Sequence, residues 1–244
     1  QSERYGVPRI AFINKMDRIG AHFDHAVKSM QERLDAHPLP LQLPIGSEDH
    51  FSGIVDLVEM RKIGWEGEDV TNTLVYSEVP PELFEEADMW RRHLIEVAAE
   101  ADDALMHKYL EEEPITVADL KAAIRKGTLA RFFTPVLCGA ALRNRGVRLL
   151  LDAIVDYLPS PDDVEAYYGH HPEHPDREIA RKPDDEEPFS ALAFKILTDP
   201  HVGKLTFVRV YSGVLKSGQQ VLNARTGRKE RLGRLLEMHA DERT

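Results

Sequence analysis

The chain has 244 residues, of which 42% are apolar and 30% are charged, and it holds one cysteine. This composition excludes a mostly disordered or fibrous protein. A lone cysteine cannot close an internal disulfide, so we expect a reducing, cytoplasmic environment. No apolar run approaches the ~18 residues that a membrane span needs, and the first residues lack the order of a signal peptide. A membrane partner is therefore not expected.

The net charge of −11 is unevenly distributed. Residues 40–133 carry 9 Lys and Arg against 20 Asp and Glu, and residues 159–188 carry 3 against 10. Residues 189–244 reverse the balance, with 10 basic against 5 acidic side chains. An acidic middle argues against nucleic-acid binding there, and we expect no DNA partner. The basic C-terminal part is compatible with a phosphate backbone.

The first elements predict an α/β fold. Val7–Ile13 is a short apolar run that indicates a buried parallel strand. Phe23, Val27, Met30 and Leu34 then recur at helical spacing, and the helix is expected to stop at His37-Pro38. Strand followed by helix is typical of a doubly wound sheet.

Residues 40–133 predict a compact, acidic α+β unit. Pro80-Pro81 opens a helix whose apolar stripe continues to Leu105, about seven turns, and Thr116 with Asp119 resembles a capping box. That second helix is expected to end at a Gly127 cap. The unit also contains three predicted strands: Gln42–Ile45, Ser52–Val58 and, roughly, residues 70–76.

The strand, turn and helix order of the first residues returns at Phe133–Cys138 and the helix up to Leu158. Residues 134–158 thus repeat the α/β pattern of residues 1–39, with the acidic unit 40–133 between them. Residues 159–188 hold six prolines and an acidic run, which indicates a linker. We expect no metal site at His170, His171 and His174, because prolines interrupt them.

Residues 189–244 alternate with period two around Gly-containing turns, which is typical of an antiparallel β-barrel. The predicted strands are Ser190–Leu197, Lys204–Tyr211, Gln220–Ala224 and Arg228–Leu236.

A four-residue motif directly follows the first strand: Asn14-Lys15-Met16-Asp17. Open α/β sheets hold ligands at the carboxyl ends of their strands. A carboxylate such as Asp17 offers two acceptors to the N1–H and 2-amino donors of guanine, a pair that adenine cannot supply. The Lys15 stem can cover a base face, and Asn14 can fix the loop. The alternative interpretation is a plain strand-end turn with surface Lys15 and Asp17.

Together with Cys138–Val147 (CGAALRNRGV), this motif resembles the base-recognition elements of translational GTPases, and the chain resembles the elongation factor G family along almost its whole length. Further matching stretches are LQLPIG from Leu41, FSGIVD from Phe51 and YLPSP from Tyr157. The resemblance implies the C-terminal part of a P-loop GTPase domain, an inserted subdomain and the start of a β-barrel second domain.

The resemblance implies that Asn14, Lys15 and Asp17 bind guanine, and that Ala140, Ala141 and Leu142 replace the family's Ser-Ala-Leu loop, whose backbone N–H groups face guanine O6. Because the family's serine is Ala140 here, we expect weaker loop ordering while the Ala141 N–H survives. GTP and GDP are the implied ligands.

The catalytic half of such a site is absent from these residues. They contain no G-x-x-x-x-G-K-[S/T] loop and no D-x-x-G segment before Asn14, so nothing is expected to hold phosphates or Mg²⁺. Together with a start at Gln1 rather than Met, this predicts a fragment that does not hydrolyse GTP alone, whereas its parent is a GTPase that uses Mg²⁺.

The implied partner is the ribosome. In the family the acidic insert faces the stalk protein and the second domain contacts small-subunit RNA. Two alternatives stay open: a ribosomal protection protein or paralogous factor with the same motifs, and a non-enzymatic ribosome-binding module. The basic residues available for RNA phosphates are Lys195, Lys204, Arg209, Lys216, Arg225, Arg228, Lys229, Arg231 and Arg234.

Overall fold

The computed structural model describes residues 2–67, 71–163, 165–199, 203–239 and 242–243. The chain divides into two compact units, Gln1–Pro159 and Ser160–Thr244. The helices are α1 (Ser2–Tyr5), α2 (Phe23–Leu34), α3 (Pro81–Glu100), α4 (Asp103–Leu110), α5 (Val117–Leu129) and α6 (Val147–Tyr157). The strands of the first unit are β1 (Ala11–Ile13), β2 (Pro38–Pro40), β3 (Gln42–Ile45), β4 (Gly53–Asp56), β5 (Arg61–Glu66), β6 (Thr73–Glu78) and β7 (Thr134–Cys138).

The first unit is built on a parallel sheet with strand order β1-β7-β2. Strand β7 is buried along its whole length, as its central place requires. The predicted α/β alternation is confirmed, although β1 begins at Ala11 rather than Val7. In the register of this sheet Ile13 pairs with Cys138, so β1 and β7 end side by side.

Residues between β2 and β7 form an antiparallel sheet, β3-β4-β5-β6, and the helices α3, α4 and α5. Two of the three predicted strands match β3 and β4, and the third corresponds to β6, although Val70 lies outside the described residues. The sequence analysis missed β5, because Gly64 and charged residues interrupt its alternation. Buried side chains of this segment and of the parallel sheet share one apolar core.

The prediction of one helix from Pro80 to Leu105 was wrong. Helix α3 ends at Glu100, and Asp102 caps a separate helix, α4, by accepting a hydrogen bond from the Leu105 N–H at 2.9 Å. This bond and the pairing with Lys126 lower the pKa of Asp102. The apolar stripe continued across the break because Leu94 and Leu105 are both buried in the same core.

The capping box of α5 is confirmed, because Thr116 and Asp119 bond each other's backbone N–H groups. The Gly127 cap was wrong, since α5 continues to Leu129. Gly127 is needed for packing instead. A Cβ there would lie 2.3 Å from the ring of Phe133 and 3.0 Å from the Cβ of Ala101.

We predict that Asp119→Asn removes an acid-sensitive part of the stability. Lys108, whose Nζ lies 2.8 Å away, and hydrogen bonds from Thr116 lower the pKa of Asp119 to about 2 from an ordinary 3.8. The ionised carboxylate therefore stabilises the fold above that ordinary value, and its contribution is lost as the pH falls toward 2. In denaturant unfolding, the difference between wild type and variant should be largest near neutral pH and shrink below about pH 4. A difference that stays constant down to pH 2 would contradict this.

The second unit consists of antiparallel hairpins. Its strands are β8 (Tyr167–His171), β9 (His174–Arg181), β10 (Ser190–Asp199), β11 (Gly203–Ser212), β12 (Gln220–Asn223), β13 (Arg228–Arg231), β14 (Met238–His239) and β15 (Glu242–Arg243). The β8–β9 hairpin occupies the predicted linker, where no strand was expected. Among the described residues the strands pair only in twos, so no closed barrel forms.

No helix in the described part of the chain is both long and apolar enough to cross a membrane.

Candidate functional site

The candidate site lies where β1 and β7 end together. The Gly139 N–H donates to the Ile13 carbonyl and the Met16 N–H donates to the Gly139 carbonyl, each at 3.0 Å. Met16 is 1% exposed and anchors its loop in the core. The parallel sheet therefore places residues 14–17, which we call the aspartate loop, beside residues 139–146, which we call the alanine loop.

Asn14 ties these loops together. Its Oδ1 accepts hydrogen bonds from the Lys15 N–H at 2.8 Å and from the Ala141 N–H at 2.9 Å. The same side chain helps Lys15 hold a φ of +64°, in the left-handed region that non-glycine residues seldom adopt. In this structure the Ala141 N–H therefore donates to Asn14, and its orientation toward guanine O6 stays a prediction.

The alanine loop is ordered by its main chain. Ala140 and Arg145 exchange backbone hydrogen bonds of 3.0 and 3.1 Å across the loop. Ala140 is 1% exposed, so its methyl group lies in the core where the family's serine would stand. The bridge joins the two sides of the loop through main-chain atoms, and the weaker ordering expected from the missing serine hydroxyl stays a prediction.

Two glycines allow the alanine loop to approach the sheet. A Cβ on Gly139 would lie 2.3 Å from the Arg145 carbonyl oxygen and 2.7 Å from the ring of Phe12. Gly146 has a φ of +82°, and a Cβ there would lie 2.6 Å from the Cys138 carbonyl oxygen. Larger residues at either position would displace the loop.

The carboxylate of Asp17 is held by a partner that the sequence analysis did not identify. Arg143 places its Nε 3.1 Å from Asp17 Oδ2, and the Asp17 side chain is only 9% exposed. Arg143 directly follows Leu142, so a basic residue at the end of the alanine loop was the available signal. Spacing in sequence could not show that it reaches Asp17.

The segment between β2 and β7, which contains the antiparallel sheet, also contacts both loops. The sequence analysis did not predict these contacts. The Glu48 N–H donates to the Met16 carbonyl at 2.8 Å, and Glu48 Oε1 accepts from the Gly20 N–H at 2.7 Å. On the other side, Asn72 Nδ2 donates to the Arg143 carbonyl at 3.0 Å. No local sequence signal connects these residues with residues 14–17 or 139–146, because the contacts depend on tertiary packing.

The remaining predicted residues of the two loops are exposed. Lys15 is exposed, and Leu142 is 82% exposed at the tip of the alanine loop. Behind the loop, burial raises the pKa of the Cys138 thiol, which keeps it neutral and unreactive. The site therefore offers the paired acceptor oxygens of Asp17 together with the exposed Lys15 and Leu142 side chains.

Metal binding has no geometric support in the described part of the chain. No group of three or more His, Cys, Asp or Glu side chains there is arranged to hold an ion. The His171 and His174 rings stack on each other with their centroids 5.2 Å apart.

Two family models and a solved structure are similar to this chain. Residues 1–160 match the family model described as the elongation factor Tu GTP binding domain, and residues 188–244 match elongation factor G domain 2. The chain is also similar to a crystal structure of a protein from Thermus thermophilus. The two are 27% identical with a TM-score of 0.77, over 99% of this chain and 33% of that one.

The matched models thus define a translational GTPase domain of the elongation-factor kind. The chain belongs to the family of elongation factor Tu GTP-binding domains, and an elongation factor G second domain follows. It spans about a third of the length of the solved protein that it resembles.

Proposed function

We propose that this chain is the guanine-binding part of an elongation factor G, a GTPase that drives ribosomal translocation of tRNA and mRNA. The observation that carries the proposal is the Asp17 carboxylate, fixed at the carboxyl end of a parallel strand between two hydrogen-bonded loops. Its two oxygens match the two donors on the guanine edge. The order of the two matched family models supports the same assignment.

In this proposal the base pocket consists of six residues: Asn14, Lys15, Asp17, Ala140, Ala141 and Leu142. Asp17 accepts from N1–H and the 2-amino group, and the exposed Lys15 stem covers one face of the ring. The phosphates and Mg²⁺ would be held by other parts of the full-length protein, because the 244 residues of this chain contain no P-loop motif.

The proposed domain limits follow from the same assignment. Residues 1–39 and 134–158 belong to the GTPase domain, 40–133 to an inserted subdomain, 159–188 to a linker and 189–244 to the start of a β-barrel. The insert would face the ribosomal stalk protein. The second unit would face small-subunit RNA, because its hairpins expose basic side chains such as Lys204, Arg209 and those of β13.

A calorimetric titration of the full-length gene product with GDP and with ADP tests the base assignment. We expect GDP to bind at least about a hundredfold more tightly, because adenine lacks both donors that Asp17 accepts. Equal affinities, or no binding of either nucleotide, would instead favour a non-enzymatic ribosome-binding module.

The isolated 244-residue chain should not turn over GTP. Positioning the phosphates and their metal ion supplies most of the catalysis in phosphoryl transfer, and these residues offer no motif for either. Phosphate release should match that of a heat-denatured sample. A steady rate above that control would contradict the proposal.

A further inference from the structure

The pairing of Asp17 with Arg143 has a consequence for base selection. A carboxylate accepts hydrogen bonds from two parallel donors only when its plane is aligned with them. Binding therefore costs the free rotation of the carboxylate about its last side-chain torsion. The Asp17 side chain is 9% exposed, and Arg143 contacts its Oδ2 at 3.1 Å through Nε. Each carboxylate oxygen has two lone pairs, so this contact leaves acceptor capacity on both oxygens.

Arg143 suits this task because its guanidinium is planar and keeps its charge. A bond from Nε to Oδ2 restricts the rotation of the carboxylate and occupies one lone pair of one of its two oxygens. Its own side chain is 45% exposed, so it can adjust while a base enters. The electrostatic part of this pairing is modest at such exposure, and alignment is its main effect.

The position of Arg143 is itself fixed from two directions. Its N–H donates to the Ala140 carbonyl at 3.0 Å, inside the short 3₁₀ turn Ala141–Arg143. Its carbonyl accepts from Asn72 Nδ2 at 3.0 Å. Asn72 is 2% exposed and directly precedes β6. The antiparallel sheet therefore helps to position Arg143, which in turn contacts the Asp17 carboxylate.

We propose that Arg143 is a positioning residue for guanine recognition, which aligns the Asp17 carboxylate with the N1–H and 2-amino edge, and that Asn72 keeps Arg143 in place. This inference rests on the proposed function, because it deepens the account of the same site. It assigns part of base selectivity to two residues that the sequence analysis did not place in the base pocket.

The test compares GDP with IDP, whose base lacks only the 2-amino group. Their affinity ratio measures how well the second acceptor of Asp17 is aligned. In the wild-type full-length protein we expect a GDP preference of about tenfold to a hundredfold, as for a hydrogen bond to a charged acceptor. In Arg143→Met we expect this ratio to fall about three- to fivefold, in proportion to a half-exposed ion pair.

Arg148→Met is the matched control, because Arg148 is an exposed arginine on α6 and its replacement removes the same charge. It should leave the ratio unchanged. Asn72→Ala should lower the ratio in the same direction, and adding it to Arg143→Met should lower it little further, since both act through one contact.

The outcomes separate the two claims. If Arg143→Met weakens GDP and IDP equally, so that the ratio is unchanged, Arg143 has only a structural role in the loop and the inference is wrong while the proposed function stands. If wild type shows no preference for GDP over ADP, the proposed function fails and the inference fails with it. A lowered ratio in Arg143→Met but not in Arg148→Met supports both.

Discussion

Asp17→Asn should weaken GDP binding by about a hundredfold or more and should raise the affinity for XDP. The amide offers one acceptor where the carboxylate offered two, and its NH₂ group opposes a guanine donor. Each lost hydrogen bond to a charged acceptor costs about 1.5–3 kcal/mol. Xanthine carries an oxygen where guanine carries the 2-amino group, so the new amide donor matches it. Titrations of the full-length variant with GDP and XDP measure both changes.

The control for this variant is Asp24→Asn. Asp24 is exposed in the first turn of α2, and its replacement removes the same charge. It should leave the ratio of GDP to XDP affinities at its wild-type value. A wild-type ratio in Asp17→Asn would show that Asp17 does not bind the base.

Gly139→Ala is expected to have the largest effect on stability. The added methyl group would overlap the Arg145 carbonyl oxygen at 2.3 Å and the Phe12 ring at 2.7 Å, and the first of these is backbone that cannot rotate away. Relief requires the alanine loop to separate from β1, which breaks the hydrogen bonds that join Gly139 to Ile13 and Met16. We expect a loss of about 3 kcal/mol or more in the free energy of unfolding.

Guanine binding should fall in the same variant even at temperatures where it remains folded, because the two loops no longer lie together. Gly169→Ala is the matched control, since a Cβ at Gly169 meets no atom within 4 Å. Its unfolding free energy should stay within about 0.5 kcal/mol of wild type. A Gly139→Ala protein with wild-type stability and GDP affinity would contradict the described packing of this loop.

The sequence allowed prediction of those elements whose signals are local. The spacing of Phe23 and Val27 predicted α2, and Thr116 with Asp119 predicted the start of α5. The Asn14–Asp17 motif could be placed at a strand end because the apolar residues Ile10–Ile13 directly precede it.

Errors arose where tertiary packing overrides a local pattern. The stripe through Leu94 and Leu105 continued across two helices, and only the Asp102 cap marks the break. Gly127 looked like a helix end, whereas its lack of a side chain makes room for Phe133. The hairpin β8–β9 was missed because its prolines and charges conceal the alternation.

The sequence analysis named residues of the two loops, but it did not predict the side-chain contacts that hold them. Nothing in residues 14–17 indicates that Arg143 holds Asp17, because that contact joins residues far apart in the chain. The local sequence likewise gives no sign that Glu48, which lies between β3 and β4, forms hydrogen bonds with Met16 and Gly20. These contacts make the segment between β2 and β7 part of the support for the aspartate and alanine loops.

A crystal structure of the full-length protein with GDP would test the central claim most directly. The account predicts N1 and the 2-amino nitrogen of guanine at about 2.7–3.1 Å from the two Asp17 oxygens, with the Lys15 stem along the ring. A nucleotide whose base lies elsewhere, with Asp17 contacting Arg143 and no part of the ligand, would contradict it.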